Sequence, residues 1–208
     1  MRISGGQDRG RNLKSPKHGG LRPTSDKVKE ALFSILRDKV EGASFLELFA
    51  GTGAVGMEAL SRGAGHTVFV DASPKAERLI RENLGILGYR ERSSVVTKDC
   101  LLFLRKTAFK MGPFDIVFVD PPYHEEAGDK ALGALGEPPD EENPDCLAPD
   151  AVVVYEHFKK HAAPDKVGRL VKKKDYTYGD TALSVYDKSP QPPFDKGGQR
   201  GDLKRADT

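Results

Sequence analysis

The sequence predicts an α/β protein with a Rossmann-like, doubly wound, mostly parallel sheet. Three observations predict it: apolar runs of strand length recur between residues 44 and 155, helix-like stretches separate them, and the first run ends in a glycine-rich turn. Runs of this length with little polar alternation suit parallel strands buried under helices on both faces. The βα repeats are too few to close an eightfold barrel.

The elements follow in order. Residues 23–39, PTSDKVKEALFSILRDK, place Val28, Leu32, Ile35 and Leu36 at helical spacing behind a Thr/Ser/Asp start, which predicts an amphipathic helix. Strands are predicted at SFLELF, HTVFVD, SSVVT, FDIVFVD and AVVVYE, with helices over 54–62, 74–87 and 99–110. Residues 124–145 hold eight Asp/Glu against one Lys, with a Pro-Pro step at 138–139, and read as a partly helical start followed by an acidic surface loop. GRLVKKKDY and TALSVYD alternate apolar with polar and are joined through residues 177–180, including Gly179, which predicts an antiparallel hairpin at the sheet edge. Residues 188–208 have almost no large apolar side chains and read as a disordered tail.

At 208 residues the chain suits one core with short appendages, and 38% hydrophobic residues can build it. No apolar run is long enough for a membrane helix, and the opening MRISGGQDRGRNLKSPKHGG lacks the apolar stretch of a signal peptide, so a cytoplasmic protein without a membrane partner is expected. Cys100 and Cys146 have neither the number for a disulfide framework nor the spacing for zinc, and no metal site is expected. The net charge of +2 hides an asymmetry: residues 1–40 carry ten Lys/Arg against four Asp/Glu, and the remainder carries 23 against 27. A basic front on a near-neutral body suits a polyanionic substrate held at one edge, although a solvated arm would look the same. The chain therefore divides into a basic arm and helix (1–40), a catalytic domain (41–187) and a tail (188–208). With no obvious apolar patch, a monomer is expected.

The chemistry gathers at strand ends. Phe49 and Ala50 lead into Gly51-Thr52-Gly53-Ala54-Val55-Gly56, a GxGxxG turn that opens a helix and lets a ligand approach the backbone. Asp71, twenty residues beyond Gly51 at the end of the next strand, can accept from two ribose hydroxyls. Asp99 offers a further acceptor at the same carboxyl edge, suited to an adenine amine. These features fit NAD, FAD or S-adenosylmethionine alike. Asp120-Pro121-Pro122-Tyr123, at the end of the fourth strand, narrows the choice. Two prolines fix the backbone and remove its donors, leaving a carboxylate and bare carbonyls for a planar amine and a tyrosine face for a base. Accepting both N–H hydrogens of an exocyclic amine, by Asp120 and the Pro121 carbonyl, favours a pyramidal nitrogen whose lone pair points at a methyl donor.

LELFAGTGAVGMEALSRGA, VFVDAS, FDIVFVDPPY, LAPDAVVVYEH and the closing YGDTALSVY, with the leading RPTSDKVKEALF and MRISGGQDRGRNLK, resemble the bacterial 16S ribosomal RNA guanine-N2 methyltransferases of RsmD type over roughly residues 1–187. The resemblance implies a class I methyltransferase fold, S-adenosylmethionine as donor, and as acceptor the N2 amine of a guanine such as position 966. It also implies presentation of that ribosomal RNA within a small subunit or an assembly intermediate. On the matching positions, Gly51, Gly53, Asp71 and Asp99 would meet the cofactor, with Glu47, Phe49, Ala72 and Cys100 beside them. Asp120, Pro121, Pro122 and Tyr123 would meet the target base. Arg2, Arg9, Arg11, Lys14 and Arg22 would meet RNA phosphates. The acidic segment and the tail depart from the pattern and are expected to point away from RNA.

Other readings stay open on residues alone. The acceptor could be a DNA adenine or cytosine, or a protein glutamine. A nicotinamide-dependent oxidoreductase would explain the glycine turn and Asp71 but not DPPY. A non-catalytic RNA-binding factor would leave DPPY without a purpose. Glu47 could sit under the cofactor or cap a nearby amide. Glu156 and His157 read as structural, Tyr178 and Tyr186 as packing residues, and Lys172, Lys173 and Lys174 as either RNA surface or a solvated strand face.

Overall fold

The computed structural model describes residues 1–15, 25–122 and 125–189. Its centre is one eight-stranded sheet in the order β3-β2-β1-β4-β5-β8-β7-β6. The strands are β1 (Ser44–Leu48), β2 (His66–Asp71), β3 (Ser93–Thr97), β4 (Phe114–Val119), β5 (Leu147–Phe158), β6 (Lys166–Val167), β7 (Leu170–Tyr178) and β8 (Thr181–Lys188). The first five run parallel, and β8, β7 and β6 continue the sheet antiparallel.

The helices are α1 (Asp26–Leu36), α2 (Ala54–Ser61), α3 (Pro74–Leu87), α4 (Cys100–Lys106), α5 (Ala108–Met111) and α6 (Glu125–Gly136). Parallel strands need both faces covered. On one face Val28, Leu32 and Leu36 of α1 and Val55 and Ala59 of α2 pack on Phe45, Ile116, Phe118, Val152 and Val154. On the other, Phe103 and Leu104 of α4 and Ala131, Leu132 and Leu135 of α6 pack on Leu46, Leu48, Val117, Val119, Val153 and Tyr155.

Boundaries differ from expectation where local chemistry intervenes. α1 starts after Ser25, whose side chain accepts from the Val28 N–H, and gives way to a 3-10 turn over Arg37–Val40. The helix predicted over 99–110 breaks at Thr107. β5 begins at Leu147, ahead of the predicted run, through an irregularity opposite Phe114–Ile116. Lys188, expected in the tail, closes β8 and donates to the carbonyls of Leu147 and Ala148. Ser189, also expected in the tail, donates its N–H to the Arg169 carbonyl at 2.7 Å, and residues 190–208 lie outside the described residues.

Residues 1–15 double back as a hairpin with one bridge, Arg2 to Asn12, docked on α2 and α3. Ile3 and Leu13 are buried against Met57, Leu60, Ile80 and Leu84. Glu58, fully buried, accepts from the backbone and hydroxyl of Ser4 and pairs with Arg62 and the equally buried Lys29. Two apolar residues ten positions apart carry no periodic signal, so a basic arm conceals a packed element.

The acidic segment joins the end of α6 to the start of β5, at the amino edge of the sheet. Asp145, at its close, pairs with Arg169 and Lys188. The sheet ends in β3 on one side and the two-residue β6 on the other, and the Arg81 guanidinium donates to the Val95 carbonyl on β3 at 3.1 Å.

Candidate active site

Register brings the predicted motifs to one height. Leu48 pairs with both Val70 and Val119, so the turns after β1, β2 and β4 leave the sheet side by side at its carboxyl edge. At ordinary strand spacing, Asp71 and Asp120 stand on either side of the β1 turn, about 10 Å apart. Thr97 pairs with Asp71, which brings Asp99 to the same edge.

The glycine turn is built for this place. Gly51 and Gly53 both have φ in the left-handed region, +52° and +70°, and Gly53 N-caps α2. A Cβ on Gly53 would lie 2.9 Å from Ile80, so the turn needs glycine for space as well as for conformation. Phe49 adopts φ +57°, rare for a residue with a side chain, and its N–H donates to Cys100 Sγ at 3.2 Å. The Cys100 side chain is buried behind Phe49, and burial pushes its thiol up to about 12; only its backbone can face a ligand.

Asp71 is braced by two amides, Gly51 N–H to Oδ2 and Ser73 N–H to Oδ1, each at 2.8 Å. The carboxylate thereby fixes the glycine turn and keeps lone pairs for further donors. Ala72, next in the chain, is exposed. Asp99 is exposed too and N-caps α4, accepting from the Leu102 N–H at 2.9 Å.

Glu47 lies beneath the turn, buried, and accepts from the Gly56 N–H at 2.9 Å, so it caps the start of α2. Burial pushes its carboxyl up to about 8, helped by the neighbouring charges of Asp120 and Asp71. It therefore carries its proton at neutral pH and adds no negative charge to the edge. Asp120 and Pro121 are half-buried and Pro122 is exposed. Tyr123 lies outside the described residues.

The basic residues divide along the hairpin. Its tip rests on the far end of α2, where Gln7 N–H donates to the Ser61 carbonyl, so Arg9 and Arg11 lie toward the amino edge. Arg11 pairs with Asp8 and donates to the Ile86 carbonyl. The open end holds Arg2, 3.6 Å from Asp26 at the start of α1, and Lys14, 3.1 Å from Glu82. Buried Asn83 holds the Lys14 backbone through both its donor and its acceptor. Arg22 lies outside the described residues.

The remaining candidates are held by contacts within the fold. His157 Nε2 meets Ser184 Oγ at 2.7 Å, Ser184 donates to Asp175, and burial lowers the imidazole's pKa. Tyr186 is fully buried and Tyr178 packs beside α1. Lys172 is held by Asp165 and Asp175, Lys173 by Asp187, and Lys174 lies over the Tyr176 ring.

Comparison with known proteins decides the family. The family model described as "Conserved hypothetical protein 95" matches residues 1–187. The ribosomal RNA small subunit methyltransferase D of Escherichia coli K12 is 33% identical over 191 residues, covering 92% of this chain and 91% of that protein. The chain belongs to the RsmD-type methyltransferase family. The Haemophilus influenzae member is 35% identical over 160 residues, covering 76% of this chain and 79% of its own length. Among solved structures, a hypothetical protein of Thermus thermophilus superposes with a TM-score of 0.72 at 29% identity, over 89% of this chain and 98% of that one. A Salinibacter ruber RNA methyltransferase in complex with S-adenosyl-L-homocysteine gives 0.62 at 16% identity, over 85% and 100%, and shares the fold. The RsmD-type chain thus has the fold of S-adenosylmethionine-dependent methyltransferases, extended by an antiparallel β8-β7-β6 edge.

Glu58 and Asn83, which lock the hairpin to α2 and α3, escaped the sequence reading. A single carboxylate inside the apolar run AVGMEALS was the available signal for Glu58.

Proposed function

We propose that this RsmD-type protein transfers a methyl group from S-adenosylmethionine to the exocyclic N2 of a guanine in small-subunit ribosomal RNA. The observation that carries the reading is the common height of three exits: a glycine turn braced by Asp71, and Asp120-Pro121 leaving the strand beside it. The residues suit the cofactor. Asp71, already fixed by Gly51 and Ser73, keeps acceptor capacity for ribose hydroxyls, and exposed Asp99 does so for the adenine amine. When bound, S-adenosylmethionine supplies an electrophilic sulfonium methyl.

The protein's own task is to hold the amine. Asp120 Oδ and the Pro121 carbonyl accept its two N–H hydrogens, which draws the nitrogen lone pair out of conjugation and aims it along the C–S axis. With the donor bound, the amine nitrogen would take the methyl as the C–S bond breaks onto sulfur, and would then pass one of its protons to solvent. Proton-bearing Glu47 adds no charge of its own beside Asp71 and Asp120. Arg2 and Lys14, on the open end of the hairpin, supply phosphate contacts. Among the described residues the large exposed apolar side chains are Ile86, Leu102 and Phe158, on α3, α4 and β5, which supports a monomer. Among the described residues no helix is long and apolar enough to cross a membrane.

The test is transfer of label from methyl-labelled S-adenosylmethionine to unmethylated small subunits, to their naked RNA and to DNA, with mass spectrometry of the nucleosides. N2-methylguanosine in ribosomal RNA is the expected product. Label in DNA, in protein or nowhere overturns the guanine-N2 reading.

A further inference from the structure

α6 follows the Asp120-Pro121-Pro122 turn after only two residues, so whatever holds the start of α6 also holds the turn. Four residues into the helix stands Gly128, and a Cβ built there would lie 2.5 Å from both Cε2 and Oη of Tyr155. That is about 0.9 Å short of ordinary contact. Tyr155 is fully buried, and its backbone pairs with Val119, the residue before Asp120. One tyrosine thus meets the strand before the acceptor turn through its backbone and the helix after it through its ring.

The neighbours of Tyr155 extend these contacts. Its ring lies 4.9 Å from that of His157 and 6.2 Å, edge-on, from that of His161, and the two imidazoles are 5.6 Å apart. His161 Nε2 meets Asp129 Oδ1 at 3.0 Å, on the residue after Gly128. His157 is tied to β8 through Ser184. Gly133, in the same helix, has open space where its Cβ would be. Glycine weakens a helix interior wherever it stands, so Gly128 has a packing reason that Gly133 lacks.

We infer that Gly128 and the Tyr155–His157–His161 ring cluster are positioning residues that set the placement of the target-base turn over the methyl donor. The inference rests on the methyltransferase reading above. A displacement near 1 Å at a reacting centre can cost about 100-fold in rate, which is the loss expected here.

Gly128→Ala tests it in the full chain. Its kcat on unmethylated small subunits should fall about 100-fold while S-adenosylmethionine affinity stays within about twofold of wild type. Gly133→Ala should raise Tm and leave kcat unchanged. Tyr155→Leu, which takes the ring away from the start of α6, should lower kcat by about tenfold or more with S-adenosylmethionine affinity again unchanged, as a merely weakened fold would not. Amide exchange of residues 119–129 should speed about tenfold in Gly128→Ala, with α2 and α3 unaltered; this readout needs no acceptor. Wild-type activity in Gly128→Ala, a parallel loss of cofactor affinity, or wild-type kcat in Tyr155→Leu overturns the inference. If the wild-type protein methylates no RNA, the functional reading fails, and unchanged exchange at 119–129 then overturns the positioning role by itself.

Discussion

Asp120 is the residue on which the proposed chemistry turns. Replacing it with alanine removes one of two acceptors for the amine, and a single such contact is worth about 100- to 1000-fold in kcat. Single-turnover methyl transfer should fall by that amount in Asp120→Ala, while calorimetric S-adenosylmethionine affinity changes little, because Asp71 and Asp99 stand apart from it. Glu47 gives a second prediction, in stability. Its carboxyl titrates near 4.5 in the unfolded chain and near 8 in the folded one, so the folded state holds the extra proton across that interval. Stability from this group therefore falls as pH rises from 4.5 to 8, by up to about 1.4 kcal/mol per pH unit. Glu47→Gln should flatten the pH dependence of the urea midpoint over this window.

Among elements, the strands were legible because parallel strands buried on both faces are apolar throughout. The runs at SSVVT and FDIVFVD coincide with β3 and β4 within a residue. The candidate site was legible for the related reason that open α/β sheets bind ligands at the carboxyl ends of their strands, and the structure brings Gly51, Asp71, Asp99 and Asp120 together there. The docking of the amino-terminal hairpin was not, since Ile3 and Leu13 meet their partners on α2 and α3 across long sequence separations. Nor was the role of Asp145 within an acidic run. Burial alone would raise its carboxyl, but hydrogen bonds from Arg169 and Lys188 overcome that and lower it to about 2. Its stabilising contribution, about 2 kcal/mol, is present above its unfolded value of 3.8 and fades as pH drops toward 2. Asp145→Asn should be less stable than wild type by that amount at neutral pH, with the two urea midpoints converging in acid.

At the scale of the molecule, charge is arranged by edge. The acidic segment lies at the amino edge, while Arg2 and Lys14 stand on the half of the hairpin away from its tip. RNA affinity should fall with added salt, and Arg2→Ala and Lys14→Ala should each reduce the slope of log K against log salt by about 1. Arg9→Ala and Arg11→Ala, at the tip, should change it less; filter binding at several salt concentrations decides this. The sheet's two borders have a consequence of their own. A bare strand border is a template on which a second chain can crystallise into a continuous ribbon. Here one border is a strand of two residues, and on the other a guanidinium occupies a main-chain oxygen that a newcomer would need. Crowded together at high concentration, copies of this protein meet a capped carbonyl at one border and a strand too short to template a partner at the other, which disfavours a continuous ladder.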